Sequence, residues 1–258
     1  MTRAGARKLA MVPALNEEGS VAEVVAGLHE SAPGYDVLVV DDGSTDATAA
    51  RAREAGAYVI SHPFNLGIGG AVQSGYRYAF LRGYAVAVQV DGDGQHDPGQ
   101  ISKLQQELDT GSADLVWGSR FLEGAGYRVP RLRRAGRVIF ARIVSAITRK
   151  PVTDPTSGFR IANRRAIELF ARDYPHDYPE VEAILMAHSH DLSIGEVAVT
   201  MRQRETGRSS INMLNAGYYM VRVLLAIFVG LFRRRPVPPP GDDWLAASPS
   251  EALEGAPR

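Results

Sequence analysis

The chain has 258 residues, 45% hydrophobic and 22% charged, which suits one large α/β domain or two small ones with a substantial core. Its 29 Lys plus Arg balance 29 Asp plus Glu, so the formal net charge is zero and no global field directs it to nucleic acid. Cysteine is absent, which excludes disulfides and thiolate metal sites and fits a reducing compartment. The opening stretch, MTRAGARKLAMVPALNEE, is basic, but its apolar run is short and ends in Asn16-Glu17-Glu18, so it reads as a first strand rather than a signal peptide.

Strands are predicted at the short apolar runs KLAMVPA, DVLVVDD, AYVISH, YAVAVQVDGD and ADLVWGSR. Helices are predicted between them over Glu18 to Ser31, Asp46 to Ala55, Gly69 to Arg82 and Pro98 to Thr110. Nearly continuous apolar strands alternating with helices predict an α/β fold with a doubly wound, mostly parallel sheet. After Arg120, RLRRAGRVIFARIVSAITRK (131–150) predicts an amphipathic basic helix, with Leu132, Ile139, Ile143 and Ile147 at helical spacing among Arg and Lys. DPTSGFRIANRRAIELF reads as a loop, a short strand and a helix, and SIGEVAVTMRQR as a late strand. The 213–232 stretch is apolar apart from Asn215 and Arg222, and reads as an interfacial or protein-packed helix in preference to a span, because Arg222 would sit at mid-membrane. Residues 236–258, rich in Pro, Ala and Ser, read as a disordered tail. No internal repeat is found.

In doubly wound sheets, ligands bind at the carboxyl ends of the strands, where the strand order reverses. Three polar clusters fall there: Asn16-Glu17-Glu18, Asp41-Asp42-Gly43-Ser44 and Asp91-Gly92-Asp93. One such cluster is explained as well by Asx turns and helix caps; three at one edge are harder to explain that way. Crowded carboxylates repel unless a cation sits among them, and Mg²⁺ or Mn²⁺ takes one or two carboxylates together with substrate phosphates. Asp91 and Asp93 are the candidate metal ligands, with Gln95 adding a neutral oxygen or holding a bound water. Asp97, just before Pro98, reads as a helix cap.

The ordered series PALNEE, VVDDGSTDAT, NLGIGGAVQSGYRYA, DGDGQHDP, GSRF and DPTSGFR resembles that of family 2 glycosyltransferases, and within them the polyprenyl-phosphate (dolichyl-phosphate) mannosyl- and glucosyltransferase branch. The resemblance covers roughly residues 8–211. It implies a glycosyltransferase-A fold over a catalytic domain of residues 1–211; the apolar stretch that follows is itself read as a membrane-associated helix over 212–235, where branch members often carry clearly apolar transmembrane helices instead. It also implies an enzyme moving a hexose, with inversion, from a GDP- or UDP-linked sugar to a polyprenyl phosphate. In that frame Asp91 and Asp93 bind the metal and the donor diphosphate, assisted by Gln95, while Pro13, Asn16, Glu17, Asp41 and Asp42 match positions that hold base and ribose.

Gly67, Gly69 and Gly70 open a helix whose unpaired N–H groups suit an anion such as the diphosphate. Arg120 in GSRF matches an arginine that binds the acceptor lipid phosphate, together with one arginine around Arg134 or Arg137. Arg202, Arg204, Arg208 and Ser209 look like the basic loop that closes over the donor diphosphate. Asp154 belongs to the family hallmark and orients either the acceptor loop or Arg160; Asp93, Arg120, Asp154 and Arg204 are thus the expected catalytic set. Glu180 and Glu182 read either as first-turn helix residues or as the base of a rival enzyme that acts on a sugar or aglycone hydroxyl. A non-catalytic nucleotide-sugar-binding protein is a second rival, and a nucleotidyltransferase a weaker one. The reading places the chain peripherally on the cytoplasmic face of a membrane, needs no nucleic acid, and leaves a homo-oligomer open.

Overall fold

The computed structural model describes residues 6–122, 131–176 and 178–202, with backbone alone for 131–137. The expected helix at 212–235, the tail, Arg204, Arg208 and Ser209 lie outside the described residues, as do the side chains of Arg134 and Arg137.

Seven strands form one sheet in the order β3-β2-β1-β4-β6-β5-β7. They are β1 (Lys8–Ala14), β2 (Tyr35–Asp41), β3 (Tyr58–Ser61), β4 (Val86–Gln89), β5 (Leu115–Ser119), β6 (Arg160–Asn163) and β7 (Ile194–Ala198). Parallel pairing joins β1 to β2 and β4, β2 to β3, and β5 to β7, whereas β6 runs antiparallel between β4 and β5. β1 is therefore the point where the order turns back, flanked by β2 and β4.

Helices α1 (Val21–Ser31) and α4 (Ile101–Asp109) cover one face, and α3 (Gly67–Leu81), α5 (Arg131–Thr148), α6 (Arg164–Arg172) and α7 (Pro179–Ser189) the other; α2 (Thr48–Glu54) links β2 and β3. Period-2 alternation divides the core between these faces. Leu9 and Met11 of β1 pack with Leu38, Tyr76, Trp117 and Phe170, while Ala10 and Val12 pack with Val25, Val39, Ile101 and Leu104. Burial on both faces is why these strands read as unbroken apolar runs.

The basic helix forms as expected, but its described half turns differently from the pattern read off the sequence. Phe140 and Val144 are the buried positions, with Ile143 and Ile147 packed beside them, whereas Ile139 is 44% exposed and shares the outer side with exposed Arg142. The larger aromatic at 140 takes the core position and rotates Ile139 outward. Among the described residues, no helix is long and apolar enough to cross a membrane.

Candidate active site

The carboxyl ends of β1, β2 and β4 meet at the turning point of the sheet. The Gly92 amide donates to Pro13 O (3.3 Å), and a Cβ at Gly92 would lie 3.1 Å from that oxygen, so any larger residue would push the chain a few tenths of an ångström away from β1. Asp42 N donates to Ala14 O (2.9 Å), and Ser20 Oγ donates to Gly92 O (2.8 Å), tying the three strand ends into one platform.

The first two polar clusters are knitted to each other. Asn16, at φ 55°, accepts the Thr45 amide on Oδ1 (2.9 Å) and donates its own amide to Ser44 Oγ (2.9 Å). Glu17 N donates to Thr48 Oγ1 (2.8 Å), while the Glu17 carboxylate accepts from Ser20 Oγ (3.0 Å). Asp41 and Asp42 are both buried. Asp41 Oδ1 accepts the Ser44 amide (3.0 Å), shaping the turn after β2. Asp42 Oδ1 accepts from His62 Nδ1 (2.8 Å) and from the Leu66 amide (2.9 Å), and the other ring nitrogen of His62 meets Ser74 Oγ (2.9 Å). Asp42 thus organises the loop leading into α3. Pro13 is buried within β1.

Gly67, Gly69 and Gly70 all lie in the first turn of α3, which begins at Gly67 rather than Gly69. Gly67 needs its freedom for φ +83°. Gly69 is there for packing: an added Cβ would fall 2.4 Å from Pro175 O and 2.6 Å from His176 Cα. Gly70 likewise faces Leu66 at 2.7 Å. Gly69 is thus accounted for by contact with the turn before α7, and Gly70 by contact with Leu66 at the entrance to α3.

Asp91 and Asp93 follow β4 on a loop that folds around His96. Asp91 N donates to His96 Nδ1 (2.9 Å), which leaves the ring proton on Nε2, 3.5 Å from Asp91 Oδ2. His96 is 4% exposed and stacks on Phe159 with centroids 4.9 Å apart. Gln89 Nε2 donates to Asp91 Oδ1 (3.1 Å). Asp93 accepts from Gln95 twice, Oδ1 from the amide (3.0 Å) and Oδ2 from Nε2 (2.6 Å). Gln95 therefore acts here through its N–H groups on Asp93. Asp97 caps the following 3₁₀ turn Pro98–Gln100, Oδ1 accepting the Gly99 amide (3.1 Å).

The Asp91 side chain is 36% exposed, and its carboxylate is met by two neutral groups, Gln89 Nε2 and the Nε2 of the His96 ring. No group of three or more His, Cys, Asp or Glu side chains forms a cage among the described residues. An exposed, weakly compensated carboxylate next to a second one, without a full protein cage, fits a hard divalent ion that completes its shell with phosphate oxygens and water.

Arg120 and Asp154 form a two-pronged pair. Nε and Nη2 donate to Asp154 Oδ2 (2.7 Å) and Oδ1 (2.9 Å), the Arg120 amide adds a third bond (3.2 Å), and Nη2 also reaches Thr156 Oγ1 (3.0 Å). Asp154 is fully buried while the Arg120 side chain keeps 21% exposure, so a buried carboxylate holds a guanidinium that retains some access to solvent. Asp154 thus pairs with Arg120, a partner not foreseen from the sequence, and makes no pair with Arg160. Buried Arg160 donates instead to the carbonyls of Ser157, Pro179 and Glu180, pinning β6 to the start of α7. The 154–158 loop also reaches the metal candidate, since a Cβ at Gly158 would lie 3.1 Å from Asp91 Oδ2.

Glu180 and Glu182 sit in the first turn of α7. Glu180 is half-buried as a residue but its carboxyl faces inward, and desolvation pushes its pKa up; nearby Arg160 pulls it down and the Asp91 charge adds to the rise. Arg202 follows an isolated bridge between His96 and Met201, donates its amide to Gln95 O (2.9 Å), and extends its side chain toward Asp97 (3.5 Å) and Glu23 (3.9 Å). A groove of about 320 Å³ between α1 and the 93–98 loop is lined by Asp93, His96 and Arg202, but does not include Asp91, Arg120 or Asp154. We place the candidate chemistry at the strand ends, where the ionic groups converge, rather than in that groove.

Sequence reasoning missed His96 and Glu196, and named Arg160 without its partners at the start of α7. His96 stood inside the quoted DGDGQHDP, next to the carboxylates, and was legible as a neighbour; the other two act on partners remote in sequence.

A mostly parallel seven-stranded sheet with three polar clusters at its switch point defines the glycosyltransferase-A fold. Glucosyl-3-phosphoglycerate synthase from Mycobacterium tuberculosis, crystallised with Mn²⁺, UDP and phosphoglyceric acid, superposes with a TM-score of 0.69 at 24% identity over 88% of this chain and 79% of that one. The chain belongs to glycosyl transferase family 2, whose model matches residues 10–170, and it is a glycosyltransferase. It is 31% identical to polyprenol monophosphomannose synthase of Mycolicibacterium smegmatis, over 84% of this chain and 85% of that protein. Against undecaprenyl-phosphate mannosyltransferase of Micrococcus luteus the identity is 32%, over 84% and 92%.

Proposed function

We propose that the protein transfers a hexose, with inversion, from a GDP- or UDP-linked sugar to a polyprenyl phosphate, using Mg²⁺ or Mn²⁺. The observation that carries this reading is the 154–158 loop, which pairs with Arg120 through Asp154 and passes so near Asp91 that a Cβ at Gly158 would lie 3.1 Å from its Oδ2. One short segment thus ties the candidate acceptor cation to the candidate donor carboxylate. Two relatives named for polyprenol or undecaprenyl phosphate chemistry, alike over most of their lengths, support the acceptor class.

Asp91 and Asp93 would hold the metal, with Gln95 holding Asp93 in place. The bound ion supplies Lewis-acid stabilisation of the departing diphosphate. Asn16, Glu17, Asp41 and the buried Pro13 form the base and ribose side, Asp42 and the glycines shape it, and Arg202 flanks the diphosphate side together with Arg204, Arg208 and Ser209. Arg120 would grip the acceptor phosphate. A phosphate monoester, with its second pKa near 6, is already an oxyanion nucleophile at neutral pH, so the protein need not supply a base. Membrane contact at the cytoplasmic face would use α5, where Ile139 and Arg142 are both exposed.

A second reading has one observation in its favour. The raised pKa of Glu180, within the field of Asp91, suits a general base for a hydroxyl acceptor. Thermal stabilisation by a panel of nucleotide sugars, with and without Mn²⁺ or Mg²⁺, tests the donor half: one base class should stabilise only with metal. Transfer by Glu180→Gln tests the acceptor half, since lipid phosphate transfer survives that change and base-dependent transfer to a hydroxyl does not.

A further inference from the structure

Glu196 lies on the edge strand β7, paired in register with Trp117 of β5. Its carboxylate gathers donors from three places. Oε1 accepts from Trp117 Nε1 (2.9 Å), Thr153 Oγ1 (3.0 Å) and the Asp154 amide (2.9 Å), while Oε2 accepts the Thr153 amide (2.9 Å). The loop gripped in this way is the one that bears Asp154, and Asp154 holds Arg120.

A second arm reaches Arg120 from the same loop. Thr153 Oγ1 meets Ser119 Oγ (2.6 Å), and Ser119 Oγ accepts the amides of Phe121 (3.1 Å) and Leu122 (3.2 Å). The side chain of Arg120 is thus set through Asp154, and the backbone on both sides of it through Thr153 and Ser119. Asp154 is fully buried, whereas Arg120 keeps partial exposure, so the chain of contacts runs from the sheet edge to a side chain that solvent and ligand can partly reach.

We propose that Glu196 is a positioning residue for transfer: it fixes the 153–154 backbone and thereby sets the Arg120 guanidinium for the anionic acceptor. This rests on the reading that Arg120 meets the acceptor phosphate. Glu196 touches no substrate itself. Its contribution is geometric, because the loop amides and the Trp117 indole need an oxygen at that distance from β7, whatever its charge.

The geometry ranks substitutions. Glu196→Gln keeps the side-chain length and one acceptor oxygen, which can still take Trp117, Thr153 Oγ1 and the Asp154 amide, and loses only the bond of the Thr153 amide to Oε2. Glu196→Asp keeps the charge but withdraws it by one methylene, and Glu196→Ala removes both. The full chain, with each variant's fold checked by circular dichroism and Trp fluorescence, is assayed for kcat and KM toward short-chain polyprenyl phosphate and for nucleotide-sugar binding without acceptor. Glu196→Ala should lose about 10- to 100-fold in kcat/KM for the acceptor, the scale of an ångström-level misplacement. Donor binding should stay within about twofold, and Gln should retain more activity than Asp. In an Arg120→Ala background, Glu196→Ala should add less than about threefold, because its route is already gone.

Wild-type transfer by Glu196→Ala beside an impaired Arg120→Ala would overturn the proposal, as would additive losses or an equal loss of donor binding. Asp outperforming Gln would overturn it by showing that charge, not reach, matters; the Gln and Asp variants decide the case if the Ala variant does not fold. Wild-type transfer by Arg120→Ala would instead show that the underlying assignment of Arg120 is wrong, and the proposal would fall with it.

Discussion

Replacing Asp154 probes the best-defined ionic unit of the site. Its fully buried carboxylate takes the Arg120 amide, Nε and Nη2, and also the Thr156 hydroxyl. Asp154→Ala would leave the mostly buried guanidinium without its counter-charge, and breaking a buried pair in this way costs about 3–5 kcal/mol. Because the Arg120 side chain keeps 21% exposure and can recruit water, the lower end, about 3 kcal/mol, is expected. Asp154→Asn keeps one acceptor oxygen but turns an amide toward the guanidinium, so about 1.5–3 kcal/mol is expected, the scale of a hydrogen bond to a charged group. Urea unfolding of wild type and both variants gives the stability change, and steady-state kinetics with varied acceptor gives the functional one. The expected order is wild type, Asn, Ala in both, with kcat/KM for the acceptor falling more than donor affinity. A loss within about 0.5 kcal/mol for Asp154→Asn, as for an ordinary surface change, would refute the reasoning.

Other expectations follow from the same geometry. Asp97→Ala removes an N-terminal cap and should cost on the order of 1 kcal/mol with chemistry largely intact, whereas Asp93→Ala should abolish metal-dependent stabilisation by nucleotide sugar; paired thermal shifts check both. Burial raises the Glu180 pKa above its ordinary 4.5, so the folded state binds that proton more readily than the unfolded chain. The carboxyl therefore costs nothing below about pH 4.5 and destabilises progressively as pH rises through the folded value. Glu180→Gln should match wild type in Tm near pH 4 and exceed it once pH has risen past the ordinary carboxyl range, with the gap levelling off above the folded value; a pH-independent difference would contradict the burial argument. Gly69→Ala drives a Cβ into the backbone at Pro175 and His176, and overpacking of about 1–3 kcal/mol should outweigh any gain in helix propensity, as urea unfolding would report.

Much of the fold was legible because burial on both faces writes itself as uninterrupted apolar runs. KLAMVPA became β1 at the predicted residues, and the runs for β2 to β5 were right within a few residues at each end. YAVAVQVDGD was the least well bounded: the strand ends at Gln89, and by Asp91 the backbone amide has turned to His96. RIAN was legible as a short strand, but its antiparallel insertion between β4 and β5 was not, because four residues carry no signal of direction. The acidic clusters were found at the correct edge, as their place after apolar strands required. Their division of labour was hidden: Asp42 turns back to His62 and Leu66, and Gly69 answers to Pro175, which is distant in sequence. Glu196 had no legible signal, since an isolated Glu in a strand is ordinary and its partners lie on other elements.

The most direct measurement is transfer itself. Purified protein is incubated with a labelled GDP- or UDP-hexose, Mn²⁺ or Mg²⁺, and either short-chain polyprenyl phosphate or matched hydroxyl acceptors. The account predicts a labelled lipid phosphate product, lost on chelation and in Asp91→Ala. Transfer confined to hydroxyl acceptors and abolished by Glu180→Gln, or lipid transfer undiminished by chelation, would contradict it.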